Sequence, residues 1–218
     1  NRLIALYRSA SSLTDDLSSL RADIEAHKDR AYATLNDILL QDFQALKIQY
    51  EQAQANGKAK KRPLTMADIE ALDPFHWGYE FDEIMGTRGG FDVIIANPPW
   101  EIFKPNGKEF FADYSDVVTA KKMRIEDFDK EQERLLQDPE IQAAWLDYQS
   151  RFPFVSAYYR SAPQFINQIS IVNDKRAGTD INLYKLFTEQ IYNLLRKGGR
   201  CGVVIPSGIY TDLGTKQL

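Results

Sequence analysis

Apolar side chains fall at Leu3, Leu6, Ala10, Leu13, Leu17, Leu20 and Ile24, in alternating steps of three and four residues. That spacing traces one face of an amphipathic helix able to pack on a partner. A second series at Tyr32, Leu35, Leu39, Phe43, Leu46 and Tyr50 keeps the rhythm, and no glycine or proline lies between Asn1 and Asn56. One long helix and a helical hairpin both satisfy the pattern. The charged cluster His27-Lys28-Asp29-Arg30 breaks the seam and favours a hairpin turning there. Either form predicts a helical scaffold over residues 1–56, since heptad stripes are packing surface.

Residues 57–74 read as a linker and a short helix. Gly57, Lys58, Lys60, Lys61 and Arg62 suit a solvated connection, with a phosphate-contacting loop as the sharper alternative. Thr65 is placed to cap a helix with Asp68 in its first turn, ending before Pro74. Phe75 to Phe81 alternates aromatic and other residues as a strand does, and Gly86 to Gly90 reads as a turn. His76, with no second ligand near it in the chain, reads as structural. Val93 to Ala96 is an apolar run that stops at Asn97, before two prolines that cannot continue a sheet interior. It reads as a buried strand.

A mainly helical insertion is expected over residues 104–179, with stops at Pro139, Pro153 and Pro163. Its aromatics, among them Phe110, Phe111, Trp145, Tyr148, Phe154 and Tyr158, are interleaved with lysines and arginines. A helical core and a nucleic-acid surface both fit this composition. From Asp180 the positions Leu183, Leu186, Phe187, Ile191, Leu194 and Leu195 predict an amphipathic helix to about Arg196, closed by Gly198 and Gly199. Cys201 to Pro206 then reads as a second buried strand. Strand, crossover helix and strand make one βαβ unit of a parallel sheet, split by the insertion. The fold class is therefore α/β.

Composition narrows this picture only a little. The 218 residues carry a net charge of −4 with 44% apolar content, enough for a proper core. A pI near 5.3 argues against a free-standing duplex-DNA binder. One cysteine, Cys201, excludes an internal disulfide and a multi-cysteine zinc site, and its apolar setting predicts a small buried side chain. No apolar run is long enough to span a membrane and no signal-peptide layout is present, so a cytoplasmic setting is expected. The termini read as those of a piece of a longer protein.

Candidate chemistry sits at Asn97-Pro98-Pro99-Trp100. The Asn97 amide offers one acceptor and two donors, Pro98 fixes the backbone beside it, and Trp100 supplies a flat apolar face. Such a lip suits a planar ligand with an exocyclic amine, held by the Asn97 oxygen and a main-chain carbonyl while stacked on the indole.

Asn97-Pro98-Pro99-Trp100 resembles the Asn/Asp/Ser-Pro-Pro-aromatic motif of amino-methyltransferases that use S-adenosyl-L-methionine, above all the gamma-type DNA adenine-N6 methyltransferases. The Asn182-Leu183-Tyr184 helix start, the Gly198-Gly199 turn and the strand ending at Pro206 resemble the segment that follows the motif in that family. The two matches cover residues 75–103 and 180–214, less than a third of the chain.

The resemblance implies a partial Rossmann-like methyltransferase sheet formed by residues 75–103 and 180–218. It implies Asn97, Pro98, Pro99 and Trp100 as catalytic residues, Phe187 beside the cofactor adenine, and Asp82 near the same group. It implies S-adenosyl-L-methionine as cofactor, no metal, and double-stranded DNA as partner through a large single-chain restriction-modification or phage-defence protein whose other domains complete the site. The glycine-rich cofactor loop of the family is not found upstream of Asn97, so this piece alone is expected to be inactive. No nuclease triad of Asp followed by Glu-x-Lys is found either. Two other functions remain open: a protein glutamine-N5 or RNA amino-methyltransferase, and a non-catalytic helical module with a remnant methyltransferase half.

Overall fold

The computed structural model describes residues 17–118, 124–169, 171–172, 175–176, 180–211, 215 and 218. The seam positions Leu3, Leu6, Ala10 and Leu13 and the basic residues Lys121 and Lys122 lie outside them.

The first element, α1 (Leu17–Ala45), is one continuous helix of 29 residues. The expected hairpin at His27 to Arg30 does not form. With no glycine or proline to stop it the helix propagates, and the polar cluster is a docking face. Lys28 Nζ lies 3.2 Å from Glu80, and the Tyr32 hydroxyl donates to Glu80 at 2.6 Å. His76 Nε2 sits 2.7 Å from the side-chain oxygen of buried Asn36.

These contacts pin a helical turn, α3 (Trp77–Glu80), where a strand over Phe75 to Phe81 was expected. A strand would send alternate rings to opposite faces. The turn instead gathers them, with Phe75 and Trp77 centroids 4.9 Å apart and Phe81 5.1 Å from Phe91.

Tyr50, expected on the helical seam, belongs to β1 (Gln49–Gln52), which pairs antiparallel with β2 (Lys60–Pro63). The linker stretch thus holds a strand as well as the short helix α2 (Met66–Glu70). At the start of α2 the Asp68 carboxylate accepts from the Thr65 backbone N–H and hydroxyl, both at 2.8 Å. It also accepts from both Arg62 terminal nitrogens at 2.6 and 2.7 Å. Those bonds, the largest influence, hold its pKa down to about 2.

Two apolar cores lie in the helical part. Phe43, Tyr50, Leu64, Ile69, Phe154, Tyr158 and Ala162 join α1, the β1–β2 hairpin, α2 and the long helix α6 (Pro139–Tyr159). Phe111, Val118, Phe128, Leu135 and Trp145 join α4 (Gly107–Ala112) and α5 (Ile125–Leu135) to α6. The insertion's aromatics therefore pack largely on one another. Pro139 opens α6 behind the Asp138 cap as a helix-starting proline should. Pro153, expected as a stop, lies inside α6. An interior proline costs about 3 kcal/mol; burial of Trp145, Phe154 and Tyr158 along the same helix outweighs it at roughly 1.5–3 kcal/mol each.

After a 3₁₀ turn at Pro163–Gln168 and the two-residue strands β4 (Ile171–Val172) and β5 (Lys175–Arg176), the chain reaches α7 (Leu183–Leu194) and β6 (Leu195–Val203). The strand β6 runs parallel to β3 (Phe91–Ala96), from Phe91 opposite Leu195 to Ala96 opposite Val203. The described strands form three two-stranded sheets in a mixed α/β chain, and the predicted strand, helix and strand are present.

The strands close up at one end because of glycine. Gly90 takes a φ of +130°, and a Cβ there would lie 2.6 Å from the Leu194 oxygen and the Arg196 nitrogen. Asp92 ties the same end together, accepting from Arg88 and, at 2.5 Å, from Arg196. The hydrogen bond from Arg196, together with the positive charge of Arg88, lowers its pKa.

Candidate active site

Two parallel strands end side by side, and ligands of α/β sheets bind outside such carboxyl ends. Pairing persists one residue past β6, with the Val204 N–H donating to the Ala96 oxygen at 3.0 Å. Asn97 follows at once.

Strand alternation separates two faces. Ile94 and Ala96, with their partners Cys201 and Val203, form the face toward α7. Between α7 and β6 lies a cavity of about 320 Å³ lined by residues that include Thr188, Ile191, Cys201 and Val203. Val93 and Ile95 form the other face with Arg200 and Gly202. That face is bare: Val93 is 59% exposed and Ile95 84%. The strand expected to be buried is thus half-buried on one side and bare on the other. Cys201 is likewise exposed, not buried, because the described sheet ends at β6 and leaves that strand an open edge.

The lip continues from this pair. Asn97 is exposed, Pro98 buried and Pro99 exposed. Trp100 keeps 53% of its surface open, while its indole N–H donates to the Val204 carbonyl at 3.3 Å. One edge of the ring is thereby fixed to the end of β6, leaving apolar ring surface accessible.

The segment after the lip is sewn to the start of α7. Ile102 and Asn182 form an antiparallel bridge, the Phe103 N–H donates to the Ile181 oxygen at 2.7 Å, and the Leu183 N–H donates to the Glu101 oxygen at 2.9 Å. The two motifs separated by some eighty residues of sequence are therefore adjacent in space.

Of the remaining predicted residues, Phe187 lies on α7 and is 44% exposed, so its ring is not part of the helix's buried face. Asp82 follows Phe81, whose ring packs on Phe91 at the start of β3. Asn97 follows the opposite end of that strand, roughly 20 Å away at about 3.3 Å per residue. Asp82 is not gathered with the lip.

Sequence reasoning missed a buried polar cluster behind α7. The Glu189 carboxylate accepts from the Asn167 backbone and side-chain N–H groups, both at 3.0 Å, and from Gln168 Nε2 at 2.8 Å. Gln168 Nε2 also donates to the Lys185 carbonyl at 3.0 Å. The cluster locks the end of the insertion onto the helix carrying Phe187. Its partners are about twenty residues apart, and no local pattern announces them.

Five glycines precede the lip. Gly57 lies in the β1–β2 connection, Gly78 in α3, Gly86 in a π-helical turn at Glu83–Thr87, and Gly89 and Gly90 directly before β3. Among the described residues none follows a strand and opens a helix, the arrangement that receives an anionic cofactor group. The described residues therefore do not form a cradle for the amino-acid part of the cofactor that the resemblance implies. No three His, Cys, Asp or Glu side chains are grouped as metal ligands among them.

Residues 24–131 match the model of the Eco57I restriction-modification methylase family. That range contains most of α1, the hairpin, β3 and the whole lip. A protein of Methanocaldococcus jannaschii provisionally described as a type II restriction enzyme and methyltransferase is 45% identical over 56 residues. The aligned segment is 25% of this chain and only 5% of that relative's length. No solved structure matches. The two matches support a methyltransferase of restriction-modification type.

Proposed function

We propose that this chain is the base-holding part of a DNA methyltransferase that uses S-adenosyl-L-methionine to methylate adenine N6, within a restriction-modification or phage-defence protein. The observation that carries this reading is the exposed Asn97 amide at the carboxyl end of a parallel strand pair, beside a tryptophan anchored by its own N–H. The sheet is read as part of a Rossmann-like methyltransferase sheet, with the helical frame of α1 and α4 to α6 as an addition to it.

In this mechanism a flipped adenine stacks on Trp100. Its N6 donates one hydrogen bond to the Asn97 side-chain oxygen and one to the Pro98 carbonyl. The amine lone pair is ordinarily delocalised into the ring. Two fixed acceptors favour a pyramidal nitrogen, and the proximity of a positioned nucleophile does the rest. Phe187 offers an accessible ring for the adenine of the methyl donor. The donor's remaining contacts come from residues outside the described set.

Tritiated methyl transfer to duplex DNA, RNA and protein, followed by digestion of the labelled product, tests the substrate class. N6-methyladenine from duplex DNA is the expected product. Label in glutamine or in RNA alone would replace this reading with another amino-methyltransferase.

A further inference from the structure

The β1–β2 hairpin is a feature that the methyl-transfer reading leaves unused. Its fifteen residues, Gln49–Pro63, carry four basic side chains and one acidic one in a chain whose net charge is −4. No acidic residue occurs from Gln52 to Ala67. Basic charge is therefore concentrated locally against the sign of the whole.

The base of the hairpin is rigid. Tyr50 is buried and packs on Phe154 with centroids 5.4 Å apart, and the Ala53 N–H donates to Ser150 Oγ at 2.8 Å, both on α6. Arg62 lies over the Tyr50 ring at 3.9 Å while paired to Asp68. Lys61 is held by Glu51 at 2.7 Å. These charges are spent within the protein.

The tip differs. Residues 54–61 are all exposed, and among the described residues neither Lys58 nor Lys60 has an ion-pair partner. Around them stand Gln54, Asn56 and three alanines, with no large apolar side chain to enter a lipid surface. Lysines flanked by amides on a two-stranded ribbon match phosphate contact by charge and by shape, since a β-ribbon fits the major groove of duplex DNA.

We infer that the β1–β2 hairpin is a nucleic-acid-contacting ribbon, with Lys58 and Lys60 pairing backbone phosphates of the duplex. The inference rests on duplex DNA being the substrate, but its test reads binding without methyl transfer. Fluorescence anisotropy with labelled duplex DNA, across a salt series, compares the full-length protein with Lys58→Ala/Lys60→Ala and with the control Lys130→Ala. Each phosphate contact contributes about 0.9 to the slope of log affinity against log salt. The double variant is expected to lower that slope by about 1.8 and to weaken binding by roughly tenfold or more near 0.1 M salt, with Lys130→Ala unchanged.

An unchanged slope and affinity would overturn the inference. So would an equal loss of binding to polyglutamate or to anionic vesicles, which would make the ribbon a general polyanion contact. A product other than N6-methyladenine would instead overturn the proposed function, with the salt slope still reporting on the ribbon.

Discussion

The helical frame and the strand pair invest their residues in opposite ways. In the frame, large side chains such as Phe43, Phe111 and Phe154 are almost wholly buried, and rings meet rings from α1 to α6. In the pair, Val93, Ile95 and Trp100 stand largely open. Stability resides in the first region and the candidate chemistry in the second. Parallel sheets are ordinarily covered on both faces, so the bare face of β3 marks where the pair departs from a finished sheet.

That contrast predicts a clean division among variants. Phe154→Ala should destabilise the fold by about 3–5 kcal/mol, because it empties a site shared by α1, β1 and α6. Denaturant melts of the variant check this; a loss below about 1 kcal/mol would mean that the frame is not the stabilising region.

Acid supplies a smaller effect. The Asp68 carboxyl is held at about 2, below its ordinary 3.8, chiefly by Arg62. Its contribution is therefore complete above the ordinary value and is lost as pH falls through about 2. Between pH 4 and 2 the loss is on the order of 1–2 kcal/mol, and Asp68→Asn should remove that part of the pH dependence. An identical acid profile in the variant would remove the Arg62–Asp68 pair from the account.

The smallest effect belongs to the bare face. Ile95→Ser should change stability by no more than about 0.5 kcal/mol, as for other exposed positions. A loss above 2 kcal/mol on thermal or denaturant unfolding would show that Ile95 is covered in solution and would erase the contrast.

Legibility followed the range of the interactions. The apolar run Val93 to Ala96 and the spacing from Leu183 to Leu194 were readable because each element's own neighbours determine it; the Gly198-Gly199 turn expected to close the helix lies instead inside β6, where Gly198 takes a φ of +80°. The turn at Trp77–Glu80 was not, because its rings find their partner at Phe91 and its polar groups find theirs on α1. The hairpin escaped because Tyr50 continues a helical rhythm by coincidence; the Asn56-Gly57 pair was the local signal for a turn. Exposure of Val93, Ile95 and Cys201 could not be read locally, since an apolar strand carries no mark of how many neighbours it will have. At the site, the lip itself was legible residue by residue. The anchoring of Trp100 by Val204 and the lock around Glu189 were not, for both join residues distant in sequence.

The central claim is that Asn97 holds a reacting amine and does no structural work. In the full-length protein, Asn97→Ala is expected to lower methyl transfer to duplex DNA by at least about 10²–10³-fold, the scale for loss of one positioned polar group. Its melting temperature and its calorimetrically measured affinity for S-adenosyl-L-methionine should stay as in the wild type. An Asn97→Ala protein that still methylates duplex DNA at the wild-type rate would contradict the account.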